Sequence, residues 1–161
     1  MLTLIIIVLV AVAVSFLCSV FEAVLLSVTP SYIATLDQTD SAAAARLRKL
    51  KENIEAPLVS ILTLNTVAHT VGAAVAGAQA AKVFGDDMLG VFSGVLTFII
   101  LFFSEIIPKS VGANHWRRLA PSVSIAITWM KRATQPLIWM SQQVTRLLGK
   151  GEEGQYIRQE M

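Results

Sequence analysis

Charged side chains are scarce in this sequence: Asp, Glu, Lys and Arg make up 15% of its 161 residues, well below the roughly 25% of soluble chains. Together with a mean hydropathy of +0.65, this excludes an ordinary water-soluble domain. The single cysteine, Cys18, excludes an internal disulfide. There is no glycine-rich phosphate loop, no paired-histidine zinc motif and no nucleophile elbow, so we expect no enzyme activity and no organic cofactor.

Three apolar stretches reach the length of about 20 residues that a helix needs to cross a bilayer. They lie at about residues 1–27, 56–82 and 88–108. No basic segment precedes the first stretch, which favours a retained span over a cleaved signal peptide. The polar segment between the first two spans contains a basic helix at 42–51, which suits anionic lipid better than nucleic acid, and we expect no nucleic-acid partner.

The pattern changes after Pro121, where charges and a further proline interrupt the apolar residues. Trp129 and Trp139, with basic neighbours, predict an interfacial amphipathic helix at about 122–148. A fourth, tilted span is the alternative. The predicted fold class is an all-α membrane protein with three transmembrane helices and a juxtamembrane helix on the cytosolic side.

Basic residues predict the orientation of the chain. If residues 29–55 and all residues after Glu105 are cytoplasmic, then Lys82 alone among the 13 Lys and Arg lies outside. This places the N-terminus outside and the C-terminus in the cytoplasm, in a cell (inner or plasma) membrane. Small residues at four-residue steps in the second span, such as Ala73 and Gly77, allow close helix approach and predict a homodimer.

The third span ends in the sequence Glu105-Ile-Ile-Pro108-Lys109. A carboxylate at membrane depth is costly without a partner, so it marks an ion path by default. Pro108 has no N–H, and the Ser104 carbonyl four residues earlier therefore loses its helical donor. A carboxylate beside a free carbonyl suits Mg²⁺ or Na⁺. The alternative is a proline kink with a glutamate that reaches cytosolic water.

Polar side chains in the first two spans fall at a comparable predicted depth and share one face of each helix. They are Ser15, Ser19, Glu22, Asn65 and His69. Three helices can thus direct oxygen ligands to one cation. For each residue an alternative stays open: the serines and Asn65 can serve helix packing, His69 can be a hydrogen-bonded core residue, and Glu22 can pair with Lys109.

The chain resembles, at these residues, the transmembrane domain of the CNNM/CorC family of magnesium transporters, also known as domain of unknown function 21. The family's third signature, Ser-Glu-Ile-x-Pro-Lys, matches residues 104–109 in full, and Gly112 follows. The first and second signatures match in part, with Val20 in place of a glycine and His69 in place of an asparagine. The resemblance covers about residues 1–148.

The resemblance implies Mg²⁺ transport across the membrane, expected to be Na⁺-coupled efflux through a dehydrated intramembrane cation site. The metal ligands that it implies are Ser19, Asn65, Glu105 and the backbone carbonyl of Ser104. The secondary candidates are Ser15, Glu22 and His69, and the hinge or structural positions are Pro108, Lys109 and Gly112. The alternative function is a membrane-anchored Mg²⁺ sensor that regulates another channel.

The expected partners are a second copy of the chain, the lipid bilayer and further domains of the same protein. Family members continue into paired cytosolic CBS domains. We therefore expect the domain to occupy residues 1–148, and the polar tail 149–161 to lead to a CBS region that this sequence does not include.

Overall fold

The structure is a computed structural model that describes residues 1–136, 138–140 and 143. The described residues are almost entirely helical and contain no strand. Three helical stretches are long and apolar enough to span a membrane: Leu2–Ser27, Glu55–Phe84 and Asp86–Ala133. The predicted all-α membrane fold with three spans is therefore confirmed.

Six α-helices follow one another along the described chain. They are α1 (Leu2–Ser27), α2 (Pro30–Leu36), α3 (Ser41–Glu52), α4 (Glu55–Phe84), α5 (Leu89–Ile99) and α6 (Ile107–Ala133). A 3₁₀ turn, Asp86–Met88, precedes α5, and a π-helical segment, Ile100–Ile106, joins α5 to α6. The first two spans thus have the bounds that the hydrophobic pattern predicts.

Short-range signals set the ends of the helices between the spans. The Thr29 hydroxyl caps α2 by accepting a hydrogen bond from the Tyr32 N–H at 3.3 Å, and Pro30 occupies the first helical position, where its missing N–H costs nothing. Asp40 caps α3 through the Ala43 N–H at 2.9 Å. The α4 helix ends at Gly85, whose φ of +81° is the left-handed conformation that glycine adopts without strain.

The third span differs from the prediction, because the helix continues past both Pro108 and Pro121 to Ala133. We expected a break at Pro108 and a separate interfacial helix from residue 122; residues 122–133 instead continue α6. The stretch of 48 residues is about 70 Å long at 1.5 Å per residue, more than twice the hydrocarbon thickness. Its C-terminal part therefore leaves the bilayer core. The expected tail, 149–161, lies outside the described residues.

Pro121 is accommodated because another helix supplies the donor that proline lacks. In a regular helix Pro121 leaves the Arg117 carbonyl, four residues earlier, without a partner. The Tyr32 hydroxyl of α2 donates to this carbonyl at 2.6 Å. Partial burial raises the pKa of the Tyr32 phenol, and the Arg117 guanidinium opposes this with a smaller effect. The phenol thus stays protonated and able to donate.

Two apolar clusters hold the helices together, one toward each end of the spans. The larger cluster joins the end of α1 and the start of α4 to α3 and α6, and includes Leu25, Leu47, Ile61 and Ile127. The smaller cluster lies at the other end and joins α1, α4 and α5 around Leu4, Ala76, Ala80 and Leu96. The α3 helix buries its apolar face in the larger cluster and lies against α6.

The α6 helix packs tightly against α1 at Gly112. A Cβ atom on Gly112 would lie 2.8 Å from the Ala23 Cβ and 2.9 Å from the Val20 carbonyl oxygen. The second of these is a backbone atom that cannot move without shifting α1. Only glycine therefore allows this packing distance.

We predict that Gly112→Ala lowers the stability of the folded domain by about 1–3 kcal/mol, as overpacking of a tight contact does. Thermal unfolding of the purified protein in detergent measures the change. Gly94→Ala is the matched control, because a Cβ there meets nothing within 4 Å and alanine is the better helix former. An equal or higher melting temperature for Gly112→Ala would contradict the assigned contact.

Candidate cation site

Ser15 is the centre of a polar cluster between α1 and α4. Its hydroxyl donates to the Asn65 side-chain oxygen at 2.6 Å, and its oxygen also makes a short hydrogen bond with His69 Nε2. The side chain of Ser15 is fully buried. The spacing of four residues between Asn65 and His69 places both on the side of α4 that faces this serine.

This network favours one tautomer of the histidine. When the Ser15 hydroxyl donates to Asn65, the proton in its hydrogen bond with His69 comes from Nε2. In the neutral imidazole the lone pair then lies on Nδ1. Nδ1 faces the Glu105 carboxylate, with 3.9 Å between Nδ1 and Oε1. An imidazole lone pair and a carboxylate oxygen thus face each other across a gap too long for a hydrogen bond.

Glu105 lies in the π-helical segment. The residue before it, Ser104, is four residues from Pro108, which has no N–H to donate. The Ile107 N–H bonds to the Phe102 carbonyl, five residues back, as a π-helix requires. The Ser19 hydroxyl of α1 donates to the Ser104 carbonyl at 2.6 Å, and both residues are buried. The Ser19 hydroxyl thus satisfies a carbonyl four residues before Pro108, where the chain passes from the π-helical segment into α6. Wider π turns are frequent at functional sites.

Glu22 and Lys109 form an ion pair, with 3.4 Å between the Lys109 Nζ and the Glu22 carboxylate. Glu22 is the more buried partner, with 18% of its side chain exposed. This is the alternative role that the sequence leaves open for Glu22, and it connects α1 to the start of α6. Lys109 is thus paired with Glu22. Gly112, one turn further along α6, packs against the same part of α1.

The predicted site residues therefore fall into two neighbouring groups rather than one. Ser15, Asn65, His69 and Glu105 form the first group. Ser19 and the Ser104 carbonyl form the second group and bond to each other. Ser15, a secondary candidate by sequence, makes the contact with Asn65. Ser15 and Ser19 are four residues apart on one face of α1, so the sequence does not distinguish their roles.

The first group combines one acidic side chain with neutral polar groups. It offers one carboxylate, an imidazole nitrogen, an amide and a hydroxyl. Among the residues that the structure describes, no three His, Cys, Asp or Glu side chains come together to hold a metal ion. A permanently bound structural metal usually has such a closed set of ligands. The side chain of Glu105 is 36% exposed, which leaves the carboxylate accessible.

Comparison with known proteins identifies the family. The profile described as "Cyclin M transmembrane N-terminal domain" matches residues 4–161. The chain belongs to this family, CNNM. The resemblance drawn from the Ser104–Lys109 signature is therefore confirmed.

Relatives of this CNNM domain come from several bacteria. The UPF0053 protein sll1254 of Synechocystis is 33% identical over 136 residues, which are 84% of this chain and 39% of that protein. A UPF0053 protein of Haemophilus influenzae is 30% identical over 91% of this chain and 35% of its own length. The UPF0053 inner membrane protein YfjD of Escherichia coli is 27% identical over 65% of this chain and 24% of its own. The CNNM domain thus spans well under half the length of these relatives.

We predict that the Ser19 hydroxyl is needed because of Pro108. Ser19→Ala leaves the buried Ser104 carbonyl without its donor, which costs about 1–3 kcal/mol. In a Pro108→Ala background the alanine N–H can take over, so the same substitution costs less. Thermal unfolding of the four proteins in detergent measures the coupling between the two residues.

Ser60→Ala serves as the control for this cycle. Ser60 is equally buried, but its hydroxyl bonds within its own helix to the Ala56 carbonyl at 2.9 Å. Its substitution is expected to cost the same with and without Pro108. Equal losses for Ser19→Ala in both backgrounds would refute the link between hydroxyl and proline.

Proposed function

We propose that this CNNM domain carries divalent cations, Mg²⁺ foremost, across the membrane through the site at Glu105. The coupled process that fits is Mg²⁺ efflux driven by Na⁺. In the proposed orientation the N-terminus is outside and the C-terminus is cytoplasmic, since that arrangement leaves one basic residue outside. The conclusion that the domain lies in a membrane rests on the three spans and the family.

The observation that carries the proposal is the gap between His69 Nδ1 and Glu105 Oε1. Two groups with lone pairs or negative charge, 3.9 Å apart, repel each other in a medium of low dielectric constant. A divalent cation held by these two groups would remove the repulsion. A cation is therefore the kind of ligand that His69 and Glu105 are suited to bind.

The neighbouring oxygens explain how a cation could lose water here. Ser15 and Asn65 lie against His69 and provide a hydroxyl and an amide oxygen. One carboxylate with neutral oxygens matches the way proteins bind Mg²⁺, which usually takes one or two carboxylates. Na⁺ accepts the same hard oxygens, which makes competition of the two ions at one site a simple basis for coupling.

A homodimer is part of the proposal. Small residues on the spans leave open surface in the single chain: a Cβ added at Gly77 or Gly90 meets nothing within 4 Å. Such positions let a second helix approach closely. Further cytosolic domains of the same protein, of the CBS type, are proposed to follow this domain.

We predict that Glu105→Gln abolishes Mg²⁺ flux in proteoliposomes that contain the purified protein, because the amide keeps the shape but removes the charge that offsets lost hydration. The readout is an entrapped Mg²⁺ indicator. Glu55→Gln, at the exposed start of α4, is the control and is expected to leave flux unchanged. Full flux in Glu105→Gln would exclude the site. Mg²⁺ binding without flux in the unmodified protein would favour the sensor function.

The histidine generates a separate prediction about ion preference. An imidazole favours Mn²⁺, Co²⁺ and Zn²⁺ over Mg²⁺, relative to an oxygen ligand. We expect His69→Asn to lower the preference for Mn²⁺ over Mg²⁺ by about tenfold, since it exchanges one nitrogen ligand for oxygen. Competition of the two ions in the thermal-stabilisation assay measures this ratio. An unchanged ratio would show that His69 does not contact the ion.

A further inference from the structure

A second polar cavity lies away from the cation site, between α3 and α6. Its volume is about 430 Å³. Four of its lining side chains are cationic: Arg46, Lys49, Lys131 and Arg132. No carboxylate lines this cavity. The cation site does not use any of these residues.

The positive charge of this cavity is not neutralised within the described part of the chain. The ion pairs there are Arg48 with Asp37 and Lys109 with Glu22, and the remaining acidic side chain in contact with a basic ring, Glu105, faces His69; none of these contacts includes a lining cation. Arg46 and Lys131 are half-buried. Four like charges around one cavity repel one another, and an anion that binds among them removes this cost.

Arg46 is positioned for an anion by a buried serine. Its Nε donates to the Ser124 hydroxyl oxygen at 3.1 Å, and that hydroxyl donates to the Pro121 carbonyl at 2.6 Å. Ser124 is fully buried, so this anchor is rigid. With Nε occupied, the two terminal amino groups of Arg46 remain for a ligand, and their fork geometry matches two oxygens of a phosphate.

The cavity lies at the level where the spans end. Leu50, which lines it, packs in the larger apolar cluster with Leu25 near the end of α1 and Ile61 near the start of α4. The Lys51 amino group, on the same helix, donates to the Leu25 carbonyl at 3.4 Å. The cavity is therefore at the depth of the lipid headgroups rather than in bulk water.

An exposed aromatic residue stands beside the cavity. Trp129 is 65% exposed. The Arg132 guanidinium lies over its ring, 5.3 Å from the ring centre, which is within the roughly 6 Å of a cation–π contact. Tryptophan is enriched at the membrane interface, where its ring contacts both acyl chains and polar headgroups. A lipid seated in the cavity could therefore pack its glycerol and upper acyl region on this ring.

We infer that this cavity binds the phosphate group of an anionic phospholipid. The cations supply the charge recognition, Arg46 supplies the paired donors, and the depth of the cavity selects a headgroup over a soluble phosphate. Basic pockets of this kind at the ends of spans bind anionic headgroups. The inference rests on the membrane location of the domain and is independent of the proposed cation transport.

The test is lipid-dependent thermal stabilisation of the purified 161-residue chain in detergent. The probes are phosphatidylglycerol, phosphatidylcholine with the same acyl chains, and inorganic phosphate. Phosphatidylglycerol is expected to raise the melting temperature more than the other two. Equal stabilisation by both lipids would overturn the site, and stabilisation by inorganic phosphate to the same extent would overturn the lipid as its ligand.

Variants separate the cavity from general surface charge. The pair Lys131→Gln and Arg132→Gln removes two lining cations, leaves the Arg46–Ser124 bond intact, and is expected to weaken the response to phosphatidylglycerol about tenfold or more. The control pair, Arg48→Gln and Arg118→Gln, removes the same charge from α3 and α6 outside the cavity. An equal loss in the control pair would overturn the inference. A normal melting temperature without lipid verifies that the variants fold.

Discussion

The hydrogen bond from the Ser19 hydroxyl to the Ser104 carbonyl is the interaction on which the third span depends. Pro108 removes a donor inside an apolar helix, where water cannot replace it. The hydroxyl from α1 satisfies the carbonyl at 2.6 Å, and the π-helical segment ends at Ile106, two residues before the proline. The span therefore continues unbroken and carries Glu105 to a position opposite His69. Without this bond the buried carbonyl would be unsatisfied, or the helix would kink and move the carboxylate.

The same solution is used a second time, thirteen residues further along, and it ties the peripheral helices to the span. Pro121 leaves the Arg117 carbonyl free, and Tyr32 of α2 satisfies it. The Pro121 carbonyl in turn holds the Ser124 hydroxyl, which anchors Arg46 of α3. The two prolines thus act as attachment points for neighbouring helices. The cation site adjoins Pro108, and the basic cavity adjoins Pro121. Each proline therefore helps to position charged groups near it.

The two charged regions carry charges of opposite sign and lie at different depths. Within the spans the Glu105 carboxylate faces the His69 ring at 3.9 Å, and a single charge at that depth is tolerable only with a partner. At the end of the spans four cationic side chains line one cavity. Glu22 and Lys109 form an ion pair at 3.4 Å. The domain thus places a carboxylate within its spans and a cluster of cations at their end.

The sequence by itself determined the membrane class, the bounds of the first two spans and the family, because hydrophobic length and a contiguous signature such as residues 104–109 are local properties of the chain. It also identified the polar residues that face one another. Only the tertiary structure decided how they pair. Ser15, rather than Ser19, contacts Asn65, and the Ser19 hydroxyl bonds to the Ser104 carbonyl near Pro108. It also decided that the third helix passes through both prolines, since the replacing donors, Ser19 and Tyr32, are more than eighty residues away in sequence and no local pattern encodes their approach.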